Sequence, residues 1–111
     1  MKKLYSWGGK FVERNLTVSD LLNNKGKTKF LQTTATDSSE ALAAKEAEID
    51  MILCKSPVIN EIRKGAPDIF LTATIDLALF PTENEVLHEA FRAMSAGADQ
   101  IYTARGPHIV E

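Results

Sequence analysis

With 111 residues, 44% of them hydrophobic and 25% charged, the chain has the size and composition of one soluble domain, or part of one, with a packed core. A formal net charge of −2 gives no general attraction to nucleic acid or to an anionic membrane surface, and no apolar run approaches the ~18 residues of a membrane span. Cys54 is the only cysteine, so no internal disulfide is available, as suits a reducing cytoplasm, and MKKLYSWGGK lacks the apolar core of a signal peptide.

Residues 1–16 read as an N-terminal extension. Gly8-Gly9 is no phosphate loop, because no strand precedes it and no helix signal follows. TVSDLLNNKG predicts a short helix, capped by Thr17 or Ser19 and closed by Gly26. A repeat then begins. KFLQTTAT (Lys29 to Thr36) is β-rich, and DSSEALAAKEAE follows with Asp37 as N-cap and Glu40 at capping-box spacing. IDMILC is a second strand, apolar without alternation, as when both faces are covered. Ser56 reads as the next cap, Pro57 as the first helical residue and Gly65 as the stop. DIFLTATI is the third strand. Thr82 and Glu85 repeat the capping spacing before a helix running to Gly97, in which Leu87, Ala90, Phe91 and Met94 recur at core spacing. ADQIYTAR is the fourth strand, and Pro107 stands at the start of a further helix.

The order βαβαβαβα argues for parallel strands with crossover helices. An open doubly wound sheet and part of a (β/α)₈ barrel both fit. A chain ending a few residues into its fourth helix suits the barrel segment better, because an open sheet needs that helix to cover a face.

TVSDLLNNKGKTKFLQTTATD, EAEIDMIL, RKGAPDIFLTATIDLALF and FRAMSAGADQIYTARG resemble the N-terminal half of the ketopantoate (3-methyl-2-oxobutanoate) hydroxymethyltransferase family, over residues 17–111 in the same order. The resemblance implies a (β/α)₈ TIM barrel of phosphoenolpyruvate/pyruvate type, with about four βα units, half a barrel, in residues 17–111. It also implies a cytoplasmic transferase of pantothenate biosynthesis type. In the family, magnesium holds a 2-oxo acid, and a one-carbon unit from methylenetetrahydrofolate is added to the carbon beside its carbonyl.

Chemistry in such barrels sits at the C-terminal ends of the strands. Those ends carry Thr34, Thr36 and Asp37, then Cys54, Lys55 and Ser56, then Thr74 and Asp76, then Thr103 and Arg105. Thr34, Asp37, Lys55, Ser56, Thr74 and Arg105 are the substrate-binding candidates, and Asp76 is the metal candidate. The chain departs from the family at its centre. Lys55-Ser56-Pro57 stands where the family has Gly-Asp-Ser, and the loop that follows there is shortened. Thr74 replaces the second metal-binding Asp, with Asp76 two residues on and so on the same strand face. Tyr102 and Ala104 replace a Lys and a Glu. Magnesium wants oxygen ligands, usually carboxylates and waters, so the metal site is expected to be degraded. Lys55 and Arg105 are left to bind a carboxylate or phosphate directly.

Each candidate also has a plain structural reading. Lys55 is an ordinary loop lysine, Asp37 a helix cap, Arg105 a salt-bridge partner and Cys54 a buried thiol. His88 reads as solvent-facing, and His108 has no metal-ligand spacing. Two functions follow. One is a diverged hydroxymethyltransferase-like enzyme acting on a small 2-oxo acid. The other is a non-catalytic half-barrel that self-assembles through its sheet edges or binds a partner, or an inactive piece of a longer enzyme. A homo-oligomer is expected from the edges, with no nucleic-acid or membrane partner.

Overall fold

The computed structural model describes residues 2–5, 9, 11–27 and 29–104. The N-terminal extension contains an antiparallel hairpin, β1 (Lys2–Tyr5) and β2 (Phe11–Arg14), with Leu4 opposite Val12. Sequence patterning assigns no element here, because four-residue strands are too short for alternation to show. Helix α1 (Val18–Asn23) starts at Thr17, whose hydroxyl accepts from the Asp20 N–H while the Asp20 carboxylate accepts from the Thr17 N–H. Two orphan donors are thereby satisfied at once.

Four strands then form one parallel sheet: β3 (Gln32–Thr34), β4 (Met51–Lys55), β5 (Phe70–Asp76) and β6 (Gln100–Ala104), neighbours in space as in sequence. Helices α2 (Ser38–Glu46), α3 (Ile59–Gly65) and α4 (Glu83–Ala96) make the crossovers. All three pack on the same face. Ala41 and Ala44 of α2, Ile59 and Ile62 of α3 and Ala93 of α4 join Ile52, Cys54, Leu71 and Ala73 of the strands in one core cluster. The alanines let α2 lie close to its neighbours. A Cβ at Gly65 would collide with the Ser38 carbonyl oxygen, so this glycine is required by the approach of α3 to α2 and sits inside the helix, not beyond its end. Gly65→Ala is therefore expected to lower stability by about 1–3 kcal/mol, as overpacking does. A urea midpoint unchanged within error would show that the two helices separate freely.

The opposite face of the sheet carries Gln32 and Thr34, Met51, Leu53 and Lys55, Thr72 and Thr74, then Gln100 and Tyr102, with Tyr102 57% exposed. Both-face coverage of β4, expected from its unbroken apolar run, is not found: Ile52 and Cys54 are buried while Met51 and Leu53 are only half-buried. Only the N-terminal end of this face is closed. There Leu4, Leu16 and Val18 line a cavity with Phe70, which is 1% exposed. The described residues thus form an open α/β sheet with its crossover helices on one side, and no closed barrel is present among them.

Below the strands lies a charged knot. Asp99 accepts from Arg14 Nε, from Arg63 Nη2 and from the Leu71 N–H, each at 2.9–3.0 Å. Arg63 also donates to the carbonyls of Ala66, Ile69 and Gly97. Burial pushes its guanidinium down to about 10 against the pull of Asp99, leaving it charged at neutral pH. Asn15 bridges the Asp50 carbonyl and the Phe70 N–H, tying the extension to the starts of β4 and β5.

In α4 the expected core spacing is displaced. Leu87 is 54% and Phe91 49% exposed, whereas Ala93 and Glu89 are buried. The inner positions go to Ala93 and to Glu89, whose carboxylate is satisfied by Ser56 and Arg92.

Candidate functional site

Parallel pairing sets the C-terminal strand ends side by side. Leu53 and Lys55 lie opposite Thr72 and Thr74, and Asp76 is the last residue of β5, still in the strand and on the same face as Thr74. Two adjoining cavities open at this rim. One, of about 320 Å³, is lined by Thr34, Ala35, Thr36, Leu53, Cys54, Lys55 and Thr74. The other, of about 240 Å³, is lined by Lys55, Ser56, Pro57, Thr74, Asp76, Leu79 and Phe80. Lys55 and Thr74 border both.

Four of the seven expected residues therefore meet in the walls of these two cavities: Thr34, Lys55, Thr74 and Asp76. Lys55 is exposed, and neither it nor the Thr34 hydroxyl has a hydrogen bond or ion pair among the described residues. Thr74 donates to the Cys54 carbonyl at 3.2 Å, which leaves its oxygen able to accept. Asp76 accepts from the Ala78 N–H at 3.0 Å in the turn that ends β5.

Ser56 and Asp37 are used elsewhere. Asp37 caps α2, accepting from the Glu40 N–H at 2.9 Å. The Glu40 carboxylate closes the box one residue early, on the Thr36 N–H and hydroxyl. Ser56 does not cap α3. Residues Ser56–Val58 form a 3₁₀ turn, and the Ser56 hydroxyl, buried, donates at 2.5 Å to Glu89 of α4. Glu89 is in turn gripped by Arg92 through both carboxylate oxygens, at 2.7 and 2.6 Å. Arg92 also donates to the Ser56 carbonyl at 2.9 Å. This latch fixes the residue that follows Lys55. The spacing of Glu89 and Arg92 resembles an ordinary surface pair, so nothing in the sequence marks it as an anchor for the rim. Arg105, Pro107 and His108 lie outside the described residues.

The described residues of the rim do not fit magnesium. Asp76 is the one carboxylate among the described residues that line the two cavities, and Lys55 lines the same cavity. Among the described residues no three His, Cys, Asp or Glu side chains gather as a metal would require. Nor does Cys54 supply a nucleophile: burial pushes its thiol up to about 11, so it stays protonated at neutral pH. His88 is exposed.

A further cavity, about 470 Å³, lies between the β5–α4 loop and α4, with Phe80, which also borders the Lys55–Asp76 cavity, and Pro81, Val86 and Leu87 in its walls. Its Thr82 hydroxyl is committed to the α4 cap, so few polar groups converge there. No helix of the described residues is long and apolar enough to cross a membrane.

Comparison with family models, with curated proteins and with solved structures returned no match.

Proposed function

We propose that the chain is a diverged relative of the ketopantoate hydroxymethyltransferases. In this reading it acts in the cytoplasm on a small 2-oxo acid, held by its carboxylate at the C-terminal rim. The observation that carries the proposal is the placement of Lys55 between the two rim cavities, uncommitted, beside the Thr34 and Thr74 hydroxyls. A carboxylate there receives a charge-assisted hydrogen bond from the ammonium and neutral ones from the hydroxyls. The 2-oxo group then points along the rim toward Asp76. Direct capture by Lys55 replaces the family's magnesium, so no step of this reading runs through a metal. The carbon beside the carbonyl is the point of C–C bond chemistry. The one-carbon unit arrives as a second substrate, which in the family is methylenetetrahydrofolate.

The test is binding, then turnover. Calorimetric titration with 3-methyl-2-oxobutanoate is expected to show saturation at millimolar concentration, without added magnesium. Lys55→Ala is expected to abolish it while moving the urea midpoint little, because Lys55 is exposed and has no partner among the described residues. Isotope-labelled formaldehyde or methylenetetrahydrofolate, supplied with the oxo acid at high protein concentration, then reports transfer. Equal binding by Lys55→Ala and the parent chain would remove the proposal.

A further inference from the structure

We infer that two copies of this chain close on each other edge to edge, β6 of each pairing in parallel with β3 of the other, to form a two-fold, eight-stranded barrel. The inference stands on the register of the sheet and is independent of what the rim binds.

The rows of the sheet run continuously. Thr34 lies opposite Leu53, Leu53 opposite Thr72, and Thr72 opposite Gln100. The last residue of β3 is therefore level with the first residue of β6, and β6 continues four residues beyond that row, from Gln100 to Ala104. An open sheet has no need of this climb. An eight-stranded parallel barrel has a shear of about eight residues, and so advances about four over each half. Under two-fold closure that half-advance sets Tyr102 opposite Gln32 of the second copy, and Ala104 opposite its Thr34. The C-terminal ends of the two strands then finish level, as the rim of a barrel requires.

Two further features agree with this offset. Tyr102 and Gln32 both belong to the uncovered face, so the side chains of a joined pair enter one interior; an odd offset would turn one of them outward. The backbone groups also match. The Met51 N–H donates to the Leu31 carbonyl and the Ala35 N–H to the Leu53 carbonyl. Alternation from those bonds across the sheet leaves Gln32 and Thr34 of β3, and Ile101 and Thr103 of β6, directing N–H and C=O away from it. At the proposed register the Thr103 N–H meets the carbonyl of Gln32, and the N–H of Thr34 meets the carbonyl of Thr103.

Closure also answers the chemistry of the face. Parallel sheets are found with both faces covered, and among the described residues the crossover helices of this one lie on one side only. The second copy encloses the bare face and sets its own Lys55 rim across the barrel mouth. The other occupants of these edges are a different chain, or successive copies adding in an open series.

Sedimentation velocity of the chain over a range of concentrations tests the closure. The expected species has twice the 12.2 kDa of one chain. Thr103→Pro and, on the other edge, Gln32→Pro each remove an N–H that has no partner among the described residues, and each is expected to give a folded species of single-chain mass. In the parent dimer the Thr103 and Thr34 amides are expected to be protected from hydrogen exchange, which decides the matter even where a proline variant does not fold. A strictly monomeric parent chain, an open-ended polymer, a dimer untouched by both folded proline variants, or freely exchanging Thr103 and Thr34 amides would each overturn the inference.

Discussion

Replacing Asp99 by asparagine is expected to cost the fold about 3 kcal/mol or more, the range for removing one partner from a buried ion pair. Among the described residues Asp99 is the single carboxylate facing two buried guanidiniums, with side-chain exposures of 5% for Arg14 and 12% for Arg63. Both arginines keep their carbonyl partners in the variant, so neither is stripped of hydrogen bonds. What they lose is the charge that offsets their mutual repulsion and desolvation. A domain of this kind has about 5–15 kcal/mol in total, so the loss should be plain in a urea titration. The mechanism is separable from simple damage. Converting Asp99, Arg14 and Arg63 together to apolar residues of similar volume should recover much of the loss, because it removes the charges as well as their counter-charge. A triple variant no more stable than Asp99→Asn would show that the knot acts through its hydrogen bonds to the backbone instead.

This knot marks the limit of what the sequence discloses. Much of the β–α alternation is legible because it is announced locally: Asp37 and Thr82 cap their helices at the expected positions, and β4 and β5 stand where apolar runs place them, while the helix expected after β6 lies outside the described residues. Parallel order follows from alternation alone. Arg14, Arg63 and Asp99 are far apart in the chain and meet only once the sheet is assembled, so no local pattern joins them. The pairing of β1 with β2 is hidden for a related reason: the two strands are held by each other, by Arg14 and by Leu4 beside Phe70, contacts that no local alternation announces.

The rim shows the same division. Lys55, Thr34, Thr74 and Asp76 could be placed together because strand ends in a parallel sheet share a side. Ser56 was legible only as a cap, since a serine before a proline at a helix start normally is one. Its true partner, Glu89, is 33 residues away. The apolar stripe of α4 misleads because helical periodicity gives the spacing of a face and not which of two adjacent stripes is buried. Here the small side chains and a satisfied carboxylate take the inner position.

Glu89 supplies the second large effect. Glu89→Ala is expected to destabilise the fold by about 2–3 kcal/mol, since it leaves the buried Ser56 hydroxyl unpartnered and opens a void beneath α4. The Arg92 hydrogen bond holds the Glu89 carboxyl below its usual range; burial opposes this, and Ser56 adds to it. The sign of the pH dependence follows. A carboxyl whose folded value is depressed stabilises the fold above its unfolded value of about 4.3, and that contribution fades as pH falls through the folded value. The stability gap between the parent chain and Glu89→Gln should therefore be constant near neutrality and narrow below about pH 4.5. Glutamine can still accept from Ser56, so what narrows is the charge-dependent part shared with Arg92. Because the latch fixes the residue after Lys55, Glu89→Gln should also weaken oxo-acid binding at pH values where the fold remains intact. Denaturant titrations at several pH values, paired with calorimetry, measure both. A gap that stays level down to pH 3 would mean that Glu89 enters the fold as a hydrogen-bond acceptor only, with its charge contributing nothing.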